Sequence, residues 1–315
     1  MVNNRTTAWL AVIGLLALLP LVVRDQYFMN VIVLCGIYAL FALSLDLVVG
    51  YLGVFSFGHA AFFGLGAYAA GLLQTRYALS FWVTLPASML LAGALGLLFT
   101  VPALRMRGIY FAITTLACAE ITRLIVISFP EVTRGSMGLA IPQPSVPFGP
   151  RMEHGNMFFY VVYALLFLAC TVILRFTDST KGRGLIAIRE NEALAQSVGI
   201  PVLSTTMGVF TGSAALAGLS GALYGGFVGI ATPDLLAVPY SALAILMVIV
   251  GGRGTVWGGI AGAFMFTVVT EFFRVADELR MIFFSSLLII SMIVAPRGLV
   301  VPMIGLMVGI GRKLR

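Results

Sequence analysis

Charge is what this sequence has least of. Only 10% of its residues are Asp, Glu, Lys or Arg, where a soluble chain carries about a quarter. Helices that need a wet face cannot be built from such stretches, which excludes a water-soluble fold. Acids are scarcer than bases, 12 against 19, and the net charge is +7. In a membrane chain that excess is read as loop bias rather than as a nucleic-acid footprint, so no nucleic acid partner is expected. Cys35, Cys118 and Cys170 stand far apart in apolar stretches, and His59 and His154 are isolated. Neither a disulfide framework nor a metal-ligand spacing can be drawn from them, and no metal site is expected.

Nucleotide chemistry is missing as well. The chain contains no G-x-x-x-x-G-K-[ST] motif, and Gly251-Gly252-Arg253-Gly254 lacks the lysine and hydroxyl that phosphates and magnesium require. No cofactor is therefore expected on this chain, and ATP hydrolysis, if it drives anything here, belongs elsewhere. No Ser, His and Asp grouping and no pair of carboxylates at helical spacing marks a hydrolase, so no catalytic residue is assigned.

Apolar residues make up 60% of the 315, glycine accounts for 35, and the mean hydropathy is +1.06. At about 20 residues per crossing, the chain has room for a single membrane domain, residues 1–315, and for no second soluble one. The expected fold is all-α, a polytopic membrane bundle of about ten spans. The runs are Thr6 to Val23, Phe28 to Tyr51, His59 to Thr75, Ser80 to Val101, Gly108 to Phe129, Met157 to Phe176, Val202 to Ile230, Pro239 to Gly252, Gly254 to Phe273 and Met281 to Ala295. The first lacks a small-x-small cleavage site and reads as an uncleaved span. Pro239 to Gly252 is short for a full crossing, and Gly53 to Gly58 has the composition of a break within the bilayer.

Starting inside and alternating places Arg5, Arg105, Arg107, Arg175, Lys181, Arg183, Arg189, Arg253, Arg297, Arg312, Lys313 and Arg315 within. Arg24, Arg76, Arg134, Arg151, Arg274 and Arg280 fall outside, and Arg123 lies in a span. Twelve against six puts both termini in the cytoplasm, with residues 130–156 as an outer loop and 177–203 as an inner one. Gly221, Gly225 and Gly229, and again Gly254, Gly258 and Gly262, recur every fourth residue, a spacing that lets helix backbones approach closely.

Residues 177–200 form the most polar long stretch. From Leu185 to Val198 the spacing predicts a helix with Ala187, Ile188, Asn191, Leu194, Ala195 and Val198 on one side and Arg189, Glu192 and Gln196 on the other. Gly199 and Pro201 supply its stop. A lipid-lying helix and a partner-docking helix both fit this pattern. The acids Glu190 and Glu192 favour a protein partner over anionic lipid.

Here the residues resemble a known family. The run Ser179 to Glu192, which includes Arg183, Arg189 and Glu190, together with Ala193, Ala195, Gly199 and Ile200, resembles the cytoplasmic coupling loop of LivM-type branched-chain amino acid ABC-importer permeases. The resemblance extends through Gly50 to Gly53, Ser56 to His59, Gly66 to Tyr68, Leu104 to Gly108, Thr115-Leu116, Glu120, Thr133 to Gly135, Ala217 to Leu223, Gly251 to Thr255 and Pro296 to Leu299. Where the family usually shows Thr-Gly-Gly, this chain has Thr133-Arg134-Gly135, a departure that bears on the substrate. The resemblance implies a permease subunit in the bacterial cytoplasmic (inner) membrane. It also implies a second homologous permease subunit, two ATP-binding subunits that use ATP and Mg, and an extracytoplasmic solute-binding protein. Urea and short-amide permeases share the same blocks, and an ion-coupled transporter or channel is the rival class.

Asp46, Glu120, Arg123 and Glu271 lie within or near the ends of spans, where an unpaired charge costs at least ~2.5 kcal/mol near the centre. Glu120 and Arg123, three apart, can pair. A pair that lets the helix insert and a pair that faces a lumen are both open, as are the roles of Thr114 and Thr115 on the same span. Ser56 and His59 are translocation-path candidates at a helix start whose amides could meet a carboxylate, or a cap and packing turn.

Overall fold

The computed structural model of the chain describes residues 25–103, 106, 108–144, 154–272 and 286. Helix α1 (Gln26–Asp46) starts at Asp25, whose carboxylate accepts from the Tyr27 amide at 2.9 Å, and runs into a π-helical turn, Leu47–Leu52. Three helices follow, α2 (His59–Tyr77), α3 (Phe81–Ala103) and α4 (Ile109–Ser128), then a single turn, α5 (Pro130–Thr133). Helix α6 (His154–Asp178) leads into the short α7 (Thr180–Glu190) and α8 (Glu192–Ser197). The long α9 (Val202–Val228) precedes α10 (Val238–Gly251) and α11 (Val256–Phe272). Two-residue strands β1 (Leu139–Ala140) and β2 (Ile230–Ala231) pair antiparallel, with Leu139 opposite Ala231.

Among the described residues, five stretches are long and apolar enough to cross a membrane: Gln26–Leu52, Phe81–Pro102, Ile109–Ser128, Gly155–Asp178 and Val202–Val228. Helices α10 and α11 meet at a bend of 118° and make a sixth only if they are counted as one broken span. The sequence reading gave these two helices separate crossings. The expected span His59 to Thr75 corresponds to α2, which is not apolar enough by itself. The reason is packing: α2 is enclosed by α9, α3, α4 and α10, and a helix shielded by protein has no need of a lipid-compatible surface. The expected runs Thr6 to Val23 and Met281 to Ala295, and with them the termini, lie outside the described residues.

Helix α9 stands at the centre, against α1, α2 and α3. Its small residues set how near the others come. A Cβ at Gly221 would sit 1.8 Å from the Phe63 carbonyl, one at Gly218 2.2 Å from the Ala92 methyl, and one at Gly66 2.0 Å from the Gly218 carbonyl. Phe41, Phe62, Phe63 and Phe210 fill the space between these backbones and are fully buried. The expected glycine faces divide by role. Gly221 and Gly225 pack against α2, whereas Gly229 adopts φ +83° and ends α9. Gly258 and Gly262 carry α11 onto the Gly251 and Met247 carbonyls of α10, while Gly254, at φ +72°, lies in the break.

The two ends of the bundle are tied separately. At one end the Tyr27 hydroxyl donates to Glu271 at 2.5 Å, and the β1–β2 ribbon joins the loop after α5 to the loop after α9. At the other, the α1 π turn, the α10–α11 break and α7 meet. This arrangement generates a contrast between two glycines of α9. Gly221→Val forces a side chain into the Phe63 backbone and is expected to cost about 3 kcal/mol. Gly212→Ala, with nothing within 4 Å, should leave stability unchanged or slightly raised. Thermal unfolding of the detergent-solubilised chain measures both.

Candidate functional site

A helix that stops inside an apolar bundle leaves amides and carbonyls that must find partners there. In this chain the loose ends satisfy one another. Asp46, 1% exposed, accepts the Gly254 amide at 2.7 Å. Gly50 is a glycine because a Cβ there would lie 2.3 Å from that same amide. The Gly50 carbonyl, left over by the π turn, accepts from Arg189 Nη1 at 2.8 Å. The first free amide of α2, at Ala60, donates to the Ser241 hydroxyl of α10 at 2.8 Å.

His59 sits inside this centre, fully buried, stacked against Phe41 and meeting the edge of Phe62. Its Nε2 is 3.0 Å from the Ser44 hydroxyl and 3.4 Å from that of Ser213. Both hydroxyls spend their protons on backbone carbonyls, Ser44 on Phe41 and Ser213 on Ser44, so Nε2 carries the proton and donates. Ser56 is buried too. The start of α2 gives its Ala60 amide to Ser241, His59 knits α1, α2 and α9 together through Nε2, and the buried Ser56 hydroxyl and His59 Nδ1 have no hydrogen-bond partner among the described residues. Ser44, Ser213 and Ser241 escaped the sequence reading, because single serines in apolar runs carry no spacing signal.

On α4 the hydroxyls turn to their own helix: Thr114 donates to the Tyr110 carbonyl at 2.8 Å and Thr115 to that of Ala112 at 2.9 Å. Glu120 and Arg123 do pair, with Nη2 to Oε1 at 2.9 Å and Nε to Oε2 at 3.2 Å. The pair lies on the outward side of α4, at 38% and 27% side-chain exposure, among exposed Ile113, Leu116, Ile121 and Leu124. Beyond α4, the Thr133 hydroxyl lies 2.8 Å from the Phe129 carbonyl and accepts the Gly135 amide at 3.2 Å. Arg134 takes the left-handed conformation, φ +63°, that glycine adopts without strain, so the turn keeps its shape while bearing a cationic side chain.

The segment after α6 departs from the expected single helix over Leu185 to Val198. It breaks at Asn191, whose backbone is extended (φ −158°) and whose side chain accepts the Leu194 amide at 3.0 Å to start α8. Asn followed by Glu192 is a helix-start signal, and reading it as one more position on a stripe was the error. The apolar side splits accordingly. Leu185, Ile188 and Ala195 pack inward, Ala187 is half-buried, and Leu194 and Val198 stand 64% and 74% exposed. Ala195, expected on the apolar side that would meet lipid or a partner, is enclosed by its own chain. Arg183 donates to the Asp178 carbonyl at 2.9 Å, and Arg189 also meets Glu190 at 3.0 Å. Gly199, at φ +85°, turns the chain towards α9. A groove of about 930 Å³ runs between this segment and the start of α9, lined by Lys181, Arg183, Val198, Pro201 and Ser204 among others.

A glycine-packed helical bundle whose interrupted helices meet at a buried polar centre is an arrangement that membrane transporters use. The family described as "Branched-chain amino acid transport system / permease component" matches residues 27–292, and the chain belongs to it. It is accordingly a transport subunit and not an enzyme. It is 33% identical to the high-affinity branched-chain amino acid transport system permease protein LivM of Escherichia coli, over 90% of this chain and 74% of that protein. A probable LivM of Methanocaldococcus jannaschii is 26% identical over 74% of this chain and 77% of its own. The permease protein LivH of Salmonella typhimurium is 23% identical over 87% of this chain and 94% of its own. No solved structure matches.

The ion pair on α4 yields a prediction. Glu120→Gln or Arg123→Gln leaves one charge unmatched, whereas the double change leaves none. The double variant should recover on the order of 1 kcal/mol or more relative to the sum of the singles, read from folded yield and thermal unfolding in detergent.

Proposed function

We propose that the chain is one of two homologous permease subunits of an ATP-driven importer that moves branched-chain or related hydrophobic amino acids into the cytoplasm. The observation that carries this reading is similarity to both LivM and LivH, the two kinds of permease protein named for one high-affinity branched-chain amino acid transport system. Two ATP-binding subunits would supply ATP and Mg chemistry, and an extracytoplasmic binding protein would select and deliver the solute. The ten-span topology with both termini cytoplasmic completes the reading.

The outward side of α4 is the part of this chain we assign to the translocation path. A carboxylate and a guanidinium facing lipid would be costly even when paired, whereas facing a lumen or a second permease subunit they keep water or polar neighbours. A zwitterionic amino acid passing such a surface meets one charge of each sign. At the inner end, exposed Leu194 and Val198 and the adjoining groove offer an apolar seat for an ATP-binding subunit.

The test is uptake by the copurified complex in proteoliposomes with ATP on the cytoplasmic side. Leucine, isoleucine, valine, urea and acetamide would be supplied with the binding protein. ATP-dependent uptake of the branched-chain amino acids is expected, and uptake confined to urea or acetamide would overturn the substrate assignment. A cysteine at Thr180 should be labelled only from the cytoplasm, and one at Met137 only from outside.

Charge at the exposed seat should separate docking from folding. Val198→Glu is expected to leave the subunit folded while copurified ATP-binding subunit falls at least ~10-fold, a loss of about 1.4 kcal/mol. Ala195→Glu, buried in its own chain, should instead lower the yield of folded subunit.

A further inference from the structure

Arg189 reaches away from the exposed seat and into the bundle. Its Nη1 donates to the Gly50 carbonyl at 2.8 Å. Its stem occupies the niche over Gly53, where a Cβ would lie 2.4 Å from Arg189 Cγ. The same Nη1 comes within 3.5 Å of the position a Cβ at Gly254 would take. One side chain from α7 therefore touches the π turn that ends α1 and the left-handed glycine that caps it (φ +79°), with its Nη1 beside the break between α10 and α11 that packs on the same turn. The hydrogen bond from the Gly254 amide to Asp46 closes the circuit back to α1.

We propose that Arg189 is a positioning residue that makes the cytoplasmic segment and these two interrupted membrane helices move as one body, a role that rests on the importer reading above. The chemistry favours arginine. A planar fork can hold a carbonyl with one nitrogen while the other meets Glu190, as it does at 3.0 Å, and the aliphatic stem fills a space that only a glycine leaves open. Lysine has a single charged centre and cannot span the same contacts. The Glu190 contact is between exposed neighbours and holds little by itself. What is held is a backbone carbonyl that the π turn leaves without a helical partner, so displacing Arg189 strands it in the interior. A push on α7 and α8 is then delivered to α1 and to the α10–α11 hairpin together, without passing first through α6.

The experiment uses the copurified complex in proteoliposomes and measures solute taken up per ATP hydrolysed, alongside recovery of the ATP-binding subunit. Arg189→Ala is expected to assemble and hydrolyse ATP while uptake per ATP falls at least ~10-fold, and Arg189→Lys should not restore it. A covalent tie should. A Cβ at Gly53 would lie 3.4 Å from Arg189 Cβ, close to the ~3.5–4.5 Å of a disulfide. The Gly53→Cys, Arg189→Cys variant is therefore expected to couple when oxidised, with the bond verified by peptide mass, and to uncouple when reduced. Unchanged uptake per ATP in Arg189→Ala overturns the proposal. So does loss of the ATP-binding subunit in step with uptake, which would make Arg189 a docking contact. If Arg189→Ala does not accumulate, the double-cysteine protein decides, and equal behaviour in its two redox states, active or inactive, overturns the tie. Absence of ATP-dependent uptake in the unaltered complex would instead defeat the importer reading, a result independent of these comparisons.

Discussion

The hydrogen bond from the Gly254 amide to the buried carboxylate of Asp46 is the contact on which the half of the bundle around the π turn depends. A carboxylate inside an apolar bundle is tolerated only with donors aimed at it, and a helix broken within the bundle has spare donors to offer. Each defect repairs the other. The same logic joins the Gly50 carbonyl to Arg189 and the Ala60 amide to Ser241, so three interruptions that would each be costly alone share their spare groups.

Glycine makes that closure possible by removing bulk where backbones meet. Gly50 brings α1 against the α10–α11 break, Gly258 and Gly262 fold α11 onto α10, and Gly221 presses α9 onto α2. In lipid there is little hydrophobic reward for burying one more apolar side chain, so close packing carries a greater share of the stability. The aromatic cluster around Phe41, Phe62 and Phe210 then fills what the glycines leave, with His59 set among its rings.

Length and apolarity made α1 with its π turn, α3, α4, α6 and α9 legible in the sequence to within three residues at either end, because a crossing needs one continuous apolar run whatever it packs against. Helix α2 was visible as a run but owes its place to the protein around it. The Glu120 and Arg123 pairing was also legible, since both partners sit on one helix at a spacing of three. What could not be read were contacts between distant segments: Ser44, Ser213 and Ser241 around the start of α2, and Arg189 turning inward instead of outward. The division of the inner segment at Asn191 left a signal in the order of residues, but helical periodicity across it was strong enough to mask the cap.

The long separation between Asp46 and Gly254 has a consequence for how the chain is made. The two groups are 208 residues apart, so at ~5–20 residues per second the carboxylate waits roughly 10–40 s for its donor after leaving the ribosome. During that interval α1 cannot settle among lipids without exposing an unmatched acid. The bond that matches Asp46 can therefore form only once the α10–α11 hairpin has been made. A subunit truncated before Gly254 would keep the Asp46 carboxylate in the bundle without the amide that donates to it here.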